Sequence, residues 1–338
     1  MAARSLAVAL VLATDNAFGL SAHLPHLPPG PLRDLVLGYV VRGAVSCTTD
    51  IALEGAAKFS RRMAAAPTSN GRGYEINGDQ VFVGNAPVAD VVIVSAIVTE
   101  HGATGRRLFF VDAATPGLRV HARHEFMGVR RFPNGGLTFD RVRVPRTRTL
   151  AQDSGTGLTA PGASPLAAFG LHHLIAAPSL ALARLGTAWA RDYATRRKAD
   201  GRPLGEYDEV QRLLASSAAD TFAVESLIAW ATTRPAPDDS AQALLGQLSV
   251  NSMSSVAAGR VLDRTVSLLA AEGIETSRSK ARRGASPVPL ERAVRDATAL
   301  RIAGGVDFRL DLEAGRAMLR AQTARPLGAG ELLGPPGP

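Results

Sequence analysis

Tyr74-Glu-Ile-Asn77-Gly78-Asp-Gln-Val-Phe82-Val-Gly84-Asn85-Ala86-Pro-Val-Ala-Asp90 is the stretch whose reading decides the fold, and Val-Val-Ile-Val-Ser follows it. Apolar and polar residues roughly alternate on both sides of an Asn-Gly pair. Alternation at period two marks a half-buried strand, and Asn-Gly supplies the positive φ of a tight hairpin turn. The spacing therefore predicts a hairpin that reverses at Asn77-Gly78. A second hairpin-like unit is predicted at Gly136-Leu-Thr-Phe139-Asp140-Arg-Val142-Arg-Val144-Pro145.

Outward from this stretch, residues 46–150 carry short β runs broken by turn signals such as Gly71-Arg-Gly73, His101-Gly-Ala-Thr-Gly105 and Pro133-Asn-Gly-Gly136. Strands spaced about ten residues apart predict a small β-sandwich or barrel. Before it, residues 1–45 read as two helices. The first is the apolar run from Leu6; the second starts at Pro31, where proline is tolerated in a first turn. His23 and His26 lie in the Pro-rich break between them. Their i, i+3 spacing suits a metal pair, but no acidic or cysteine companion stands beside them, so they are read as loop-surface residues and no metal is expected. Beyond the polar, Gly-rich residues 151–165, the period changes to 3.6. Runs at 171–199, 210–230, 245–269 and 290–303, with another at 308–319, predict a four-helix bundle. The domain reading is 1–45 helical, 46–150 β, 151–325 bundle and 326–338 a disordered tail.

With 338 residues and 46 % hydrophobic content the chain can bury sizeable cores, and its composition is neither disordered nor fibrous. The single cysteine, Cys47, excludes an intramolecular disulfide framework and a cysteine-cluster zinc site, and it suits a reducing, cytoplasmic setting. The net charge of +8 rests almost wholly on arginine, since Lys58, Lys198 and Lys280 are the three lysines. Those charges are dispersed and carry no nucleic-acid signature, so no nucleic-acid partner is expected. The N-terminal run is read as a buried helix. No run reaches the roughly 18–20 apolar residues that span a bilayer, and no membrane partner is expected.

Tyr74-x-Ile-Asn77-Gly78-x-x-x-Phe82-x-x-Asn85-x-x-x-Ala89-Asp90 resembles a strand pair of the acyl-CoA dehydrogenase family. Phe110-Val-Asp with Pro116-Gly117, then Met127-Gly128-x-Arg130, then Leu137-x-Phe139-Asp140-x-Val142-x-Val144-Pro145 resemble the rest of that family's β domain in order. Arg197-Lys198-x-x-Gly201-Arg-Pro203-Leu204 and Leu290-Glu291-Arg-Ala-Val-Arg295-Asp296-Ala297 resemble segments of its bundle. The resemblance implies an α+β, acyl-CoA dehydrogenase-like fold: a shortened N-terminal helical segment, a small middle β-sandwich or barrel, and a C-terminal four-helix bundle. It also implies flavin-dependent α,β-dehydrogenation of an acyl thioester on CoA or a carrier protein, FAD as cofactor, and a homo- or hetero-oligomer with a chain of the same family.

The same resemblance assigns residues. The flavin contacts would fall on Thr48, Thr49, Phe82 and Gly84, and a phosphate contact on Arg197. Phe82 stands for the family's tryptophan and Gly84 for its threonine. The family's catalytic glutamate falls on Gly304 and its alternative base on Leu171, so neither place supplies a carboxylate. His172 and His173 are the candidate substitute bases, because histidine titrates near neutrality. Asp50, Glu54, Glu272 and Asp307 are weaker candidates. Losing both base positions together also fits a non-catalytic partner chain of a heteromer, or a flavin-independent use of the fold.

Overall fold

The computed structural model describes residues 5–49, 63–121, 123–152, 165–233, 240–303 and 306–322; side chains at 151–152, 165–173, 240–248, 309, 313, 317 and 320–322 lie outside the description. The tail at 326–338 and residue Gly304 also lie outside it. The chain divides into two compact units, Met1–Pro178 and Ser179–Pro338.

The first unit opens with helix α1 (Leu6–Phe18), the short α2 (Leu20–His23) and α3 (Pro31–Val41). Ser5 caps α1, its Oγ accepting the Val8 N–H at 3.5 Å. The residues Leu6–His26 form a stretch with mean hydropathy 1.3, long and apolar enough to cross a membrane by length and composition, with half of its most apolar window buried. That corrects the count made from uninterrupted apolar residues, because the leucines, valines and alanines on both sides of Thr14-Asp15-Asn16 keep the window apolar on average.

Among the described residues eight strands form one sheet: β1 (Ser46–Thr48), β2 (Ala64–Pro67), β3 (Gly73–Gly84), β4 (Val91–Glu100), β5 (Ala103–Asp112), β6 (Leu118–Val120), β7 (Asn134–Pro145) and β8 (Thr149–Gln152). Their order is β6-β7-β3-β2-β4-β5-β8, with β1 parallel to the start of β4. The continuous apolar run Val91–Val98 has a physical reason. Val92, Val94, Ala96 and Val98 point into a core shared with Tyr74, Phe109 and Phe139, while Val91 and Ile93 join Leu108 and Phe110 beneath Leu20, Val36 and Tyr39 of the helices. A strand buried on both faces has no polar alternation to show.

Neither predicted hairpin forms. Gly73–Gly84 and Asn134–Pro145 are each a single strand, and they pair antiparallel with each other. Gly78 does take a positive φ of 148°, but it lies beside a bulge and not in a reversal. Ile76 faces Val142 and Gly78 faces Phe139, so Asp140 and Arg141 together oppose Asn77. Arg141 adopts φ 52°, and its main-chain N–H is taken up by Asn77 Oδ1 at 2.8 Å. A bulge of this kind adds one residue and twists the strand without turning it back. At the far end of the sheet, Tyr74 Oη donates to Glu100 and accepts from Arg146, both at 2.8 Å, with Arg107 and Arg146 lying over its ring.

Helix α4 (Pro165–Arg196) passes from the first unit into the second. The second unit then contains a two-residue hairpin, β9 (Lys198–Ala199) and β10 (Arg202–Pro203), followed by α5 (Asp208–Thr233) and α6 (Ser240–Leu269). The short α7 (Ala271–Ile274) and α8 (Ser277–Arg282) lead to α9 (Leu290–Leu300) and α10 (Asp307–Gln322). Polar ties join these helices. Arg184 pairs with Glu225, Asp220 of α5 accepts from Arg260 and Arg264 of α6 at 2.8 and 2.6 Å, and Ser252 donates to Asp311 at 2.6 Å. The helical, β and helical order expected from the sequence is the order observed.

Candidate functional site

The end of β3 carries a second bulge. Gln80 faces Leu137 and Val83 faces Gly135, so Val81 and Phe82 together oppose Gly136. Phe82 sits at φ 59°, a conformation that L side chains rarely adopt, and its ring is 59 % exposed. The bulge turns this apolar ring outward. His124 lies 4.8 Å from it between centroids and Phe126 6.5 Å, making a small aromatic face.

Two residues further on, Gly84 pairs with Asn134. A β-carbon at position 84 would stand 3.0 Å from Phe132 Cζ and 3.6 Å from Thr14 Cγ2. Asn85 follows in the left-handed region at φ 66°, fully buried, its N–H donating to the Pro133 carbonyl at 2.7 Å. Its Nδ2 reaches the Ser46 carbonyl at 3.4 Å, and its Oδ1 has no partner among the described residues.

Thr48 and Thr49 are buried and already engaged. Thr48 Oγ1 donates to the Phe18 carbonyl at 2.6 Å. Thr49 donates its N–H to the Ile93 carbonyl at 2.9 Å, and its Oγ1 accepts from Ser95 N at 3.3 Å. Beside them Ser46 Oγ donates to Asp15 at 2.6 Å and accepts from Leu20 N at 3.2 Å. The hydroxyls of Ser46 and Thr48 therefore fasten the N-terminal helices to β1, and that of Thr49 ties the end of β1 to β4. Burial pushes the Cys47 thiol up to about 12, which leaves it protonated and inert.

Arg197 belongs to the second unit. It closes α4, its carbonyl accepts from Leu204 N at 2.8 Å, and its side chain is exposed. His172 and His173 fall within α4, with side chains outside the description, as is that of Leu171; Asp50 and Glu54 lie outside it altogether. Asp307 is buried and bonded to Arg301 at 2.7 Å, which leaves it committed as an ion-pair partner. Glu272 lies on α7 in the field of Lys280, whose Nζ donates to the Val288 carbonyl at 2.9 Å. Burial pulls the Lys280 pKa below its usual range against the charges of Glu272, Glu275 and Glu291. His23 is not on a loop surface as expected; it is buried on α2, 6.0 Å from the Phe110 ring. Among the described residues no group of three His, Cys, Asp or Glu side chains could hold a metal ion.

The second unit contains a cavity of about 520 Å³ between α6, α7 and α9. Leu262, Val266 and Ala297 line it with Asp263, Glu291, Arg295 and Arg301. Glu291 and Arg295 pair at 2.8 Å and Arg301 pairs with Asp307, while Asp263 adds a carboxylate to the lining.

FAD, implied by the resemblance, needs hydrogen-bond donors along its ring edge and a clear face for the ring. The described residues of the first unit do not fit it. The hydroxyls of Thr48 and Thr49 are turned inward, position 84 has no side chain, and Phe132 Cζ would lie 3.0 Å from a β-carbon there. Phe82, His124 and Phe126 provide an aromatic face and nothing that grips. Phe132 and His124 were not singled out in the sequence; the only signal was an aromatic residue two places beyond Arg130.

Comparison with known proteins agrees with this architecture. The family model of the acyl-CoA dehydrogenase middle domain matches residues 55–142, and that of the acyl-CoA dehydrogenase C-terminal domain matches residues 173–322. A probable acyl-CoA dehydrogenase, FadE10, from Mycobacterium tuberculosis is 31 % identical over 280 residues, which cover 80 % of this chain and 41 % of that protein. Cyclohex-1-ene-1-carbonyl-CoA dehydrogenase from Syntrophus aciditrophicus is 26 % identical over 267 residues, 78 % of this chain and 61 % of that one. The chain thus spans about two fifths of the mycobacterial relative and three fifths of the other. Among solved structures, butyryl-CoA dehydrogenase from Megasphaera elsdenii superposes with a TM-score of 0.77 at 21 % identity, covering 94 % of this chain and 79 % of that one. At that identity the likeness is one of fold.

Proposed function

Because this chain belongs to the acyl-CoA dehydrogenase family, we propose that it serves in the flavin-dependent α,β-dehydrogenation of an acyl thioester. The observation that carries the reading is the pair of domain matches, in order, over residues 55–142 and 173–322. The substrate class is a thioester of CoA or of a carrier protein. The α-proton of such a substrate needs a base, and neither Gly304 nor Leu171 supplies one. His172 and His173, at the first turns of α4, are the proposed substitutes; an imidazole accepts a proton near neutral pH. Arg197, exposed at the end of the same helix, is the proposed phosphate contact. The working form is an oligomer with itself or with a related chain, in the cytoplasm, where a free buried thiol such as Cys47 is at home.

A second reading is favoured by the inward hydroxyls of Thr48 and Thr49 and the bare Gly84: a partner chain that lends its fold to a heteromer whose other chain performs the chemistry. Purified protein separates the two. The first reading expects acyl thioester to be oxidised by this chain in the presence of added FAD and an electron-accepting dye, with His172→Ala or His173→Ala lowering turnover by about 100-fold. Turnover seen only after co-expression with a related chain, and unchanged by either substitution, selects the second.

A further inference from the structure

We infer that the β domain of this chain does not seat a flavin ring at the Phe82–Gly84 edge, because Phe132 packs closely on Gly84 and the nearby threonine hydroxyls face inward. The inference rests on the family reading above, which is what brings FAD into question.

Residue 121 and residues 123–133, beyond β6, pack over the end of β3. Main-chain bonds hold this segment to β7: His121 N donates to the Gly136 carbonyl and His124 N to the Asn134 carbonyl, both at 2.8 Å. Side chains repeat the attachment. His121 Nε2 meets Thr138 Oγ1 at 2.7 Å and His124 Nδ1 meets Asn134 Oδ1 at 2.9 Å. Within the segment Arg123 donates to the Arg130 carbonyl at 2.8 Å, and Phe132 N to the Val129 carbonyl at 2.7 Å. Val129, buried at φ 43°, accepts a strained backbone to make that last turn. The result is a cover fixed at both ends, with Phe132 set on Gly84 and His124 set against Phe82.

Two consequences follow for a ring-shaped cofactor. The hydroxyl that the resemblance places at position 84 is absent, and a side chain there would press on Phe132 Cζ, 3.0 Å from its β-carbon. The neighbouring hydroxyls are buried and turned inward as well, Thr48 Oγ1 donating to the Phe18 carbonyl and Thr49 Oγ1 accepting from Ser95 N. A flavin at this edge would displace a buttressed phenyl ring and gain no hydrogen bond from these side chains.

Titration of the full-length purified chain with FAD, followed by equilibrium dialysis and flavin fluorescence, tests this. The wild-type chain is expected to retain no FAD up to roughly 100 μM, while Phe132→Ser, alone or with Gly84→Thr, gains affinity by about tenfold or more. Should Phe132→Ser lose the wild-type circular dichroism, Phe132→Ala takes its place. One quenched FAD per wild-type chain overturns the inference and leaves the dehydrogenation reading standing. A folded variant that binds no better than a wild-type chain empty of FAD overturns Phe132 as the obstacle. Failure of the dehydrogenation reading shows separately, as absence of thioester oxidation in every combination of chains.

Discussion

His23 meets the ring of Phe110 edge-on, centroids 6.0 Å apart, inside the seam where the N-terminal helices cover the sheet. Its Nε2 has no hydrogen-bond partner among the described residues. Burial first, and then the charge of His26, pull its pKa from 6.5 to about 4 against a bond to the Phe18 carbonyl that works the other way. As pH falls, the unfolded chain takes up this proton near 6.5 and the folded chain only near 4. Stability is therefore full above 6.5, declines between 6.5 and 4, and levels off below, with a total loss of about 3 kcal/mol from this group. Urea titrations across that range check the slope, and His23→Gln is expected to flatten it.

Cys47 gives a chemical reading of the same seam. It is 1 % exposed and its thiol is pushed up to about 12 by burial. A thiol-specific disulfide reagent at pH 8 is expected to leave the native protein unmodified and to label one thiol per chain in denaturant. Prompt labelling of the native protein would mean that the helices lift from β1.

Asn77→Ala removes the acceptor that satisfies Arg141 N at the first bulge. The site is exposed, so water partly replaces the lost bond, and the expected cost is about 1 kcal/mol. Chemical denaturation measures it. Gly78→Ala is expected to cost more, since its φ of 148° suits glycine alone.

In the second unit Asp220 ties α5 to α6 through Arg260 and Arg264. Burial raises its pKa, and the two guanidinium bonds outweigh that and hold it below the usual carboxylate range. Its contribution is present above the ordinary carboxylate pKa and is lost as pH falls through the depressed one. Asp220→Asn is expected to destabilise this unit by about 1 kcal/mol, less at high salt, as read from thermal melts at two ionic strengths.

The fold was legible where the pattern is local. A 3.6-residue period needs no distant partner, so the bundle helices fall close to where the sequence places them. The β domain was legible as strands and illegible as topology. Asn77-Gly78 announces a positive φ, but whether the chain reverses or merely bulges is decided by its pairing with β7, whose Arg141 is 64 residues away. His23 was misplaced for a similar reason: the prolines around it suggest a loop, and its burial comes from Phe110 on β5. Thr48, Thr49 and Gly84 were reached by resemblance, which locates positions and not the direction of a hydroxyl. The inward turn of Thr48 is set by Phe18 and that of Thr49 by Ser95.

The seating of Phe132 on Gly84 also couples two positions that are distant in the sequence. With 3.0 Å between Phe132 Cζ and the site of a β-carbon, a larger residue at 84 fits only if the ring gives way by a few tenths of an ångström. Substitutions at 84 and 132 are therefore expected to be non-additive, the cost of Gly84→Ala falling when Phe132 is shortened. The two residues form one packing unit, and neither can be exchanged without reference to the other.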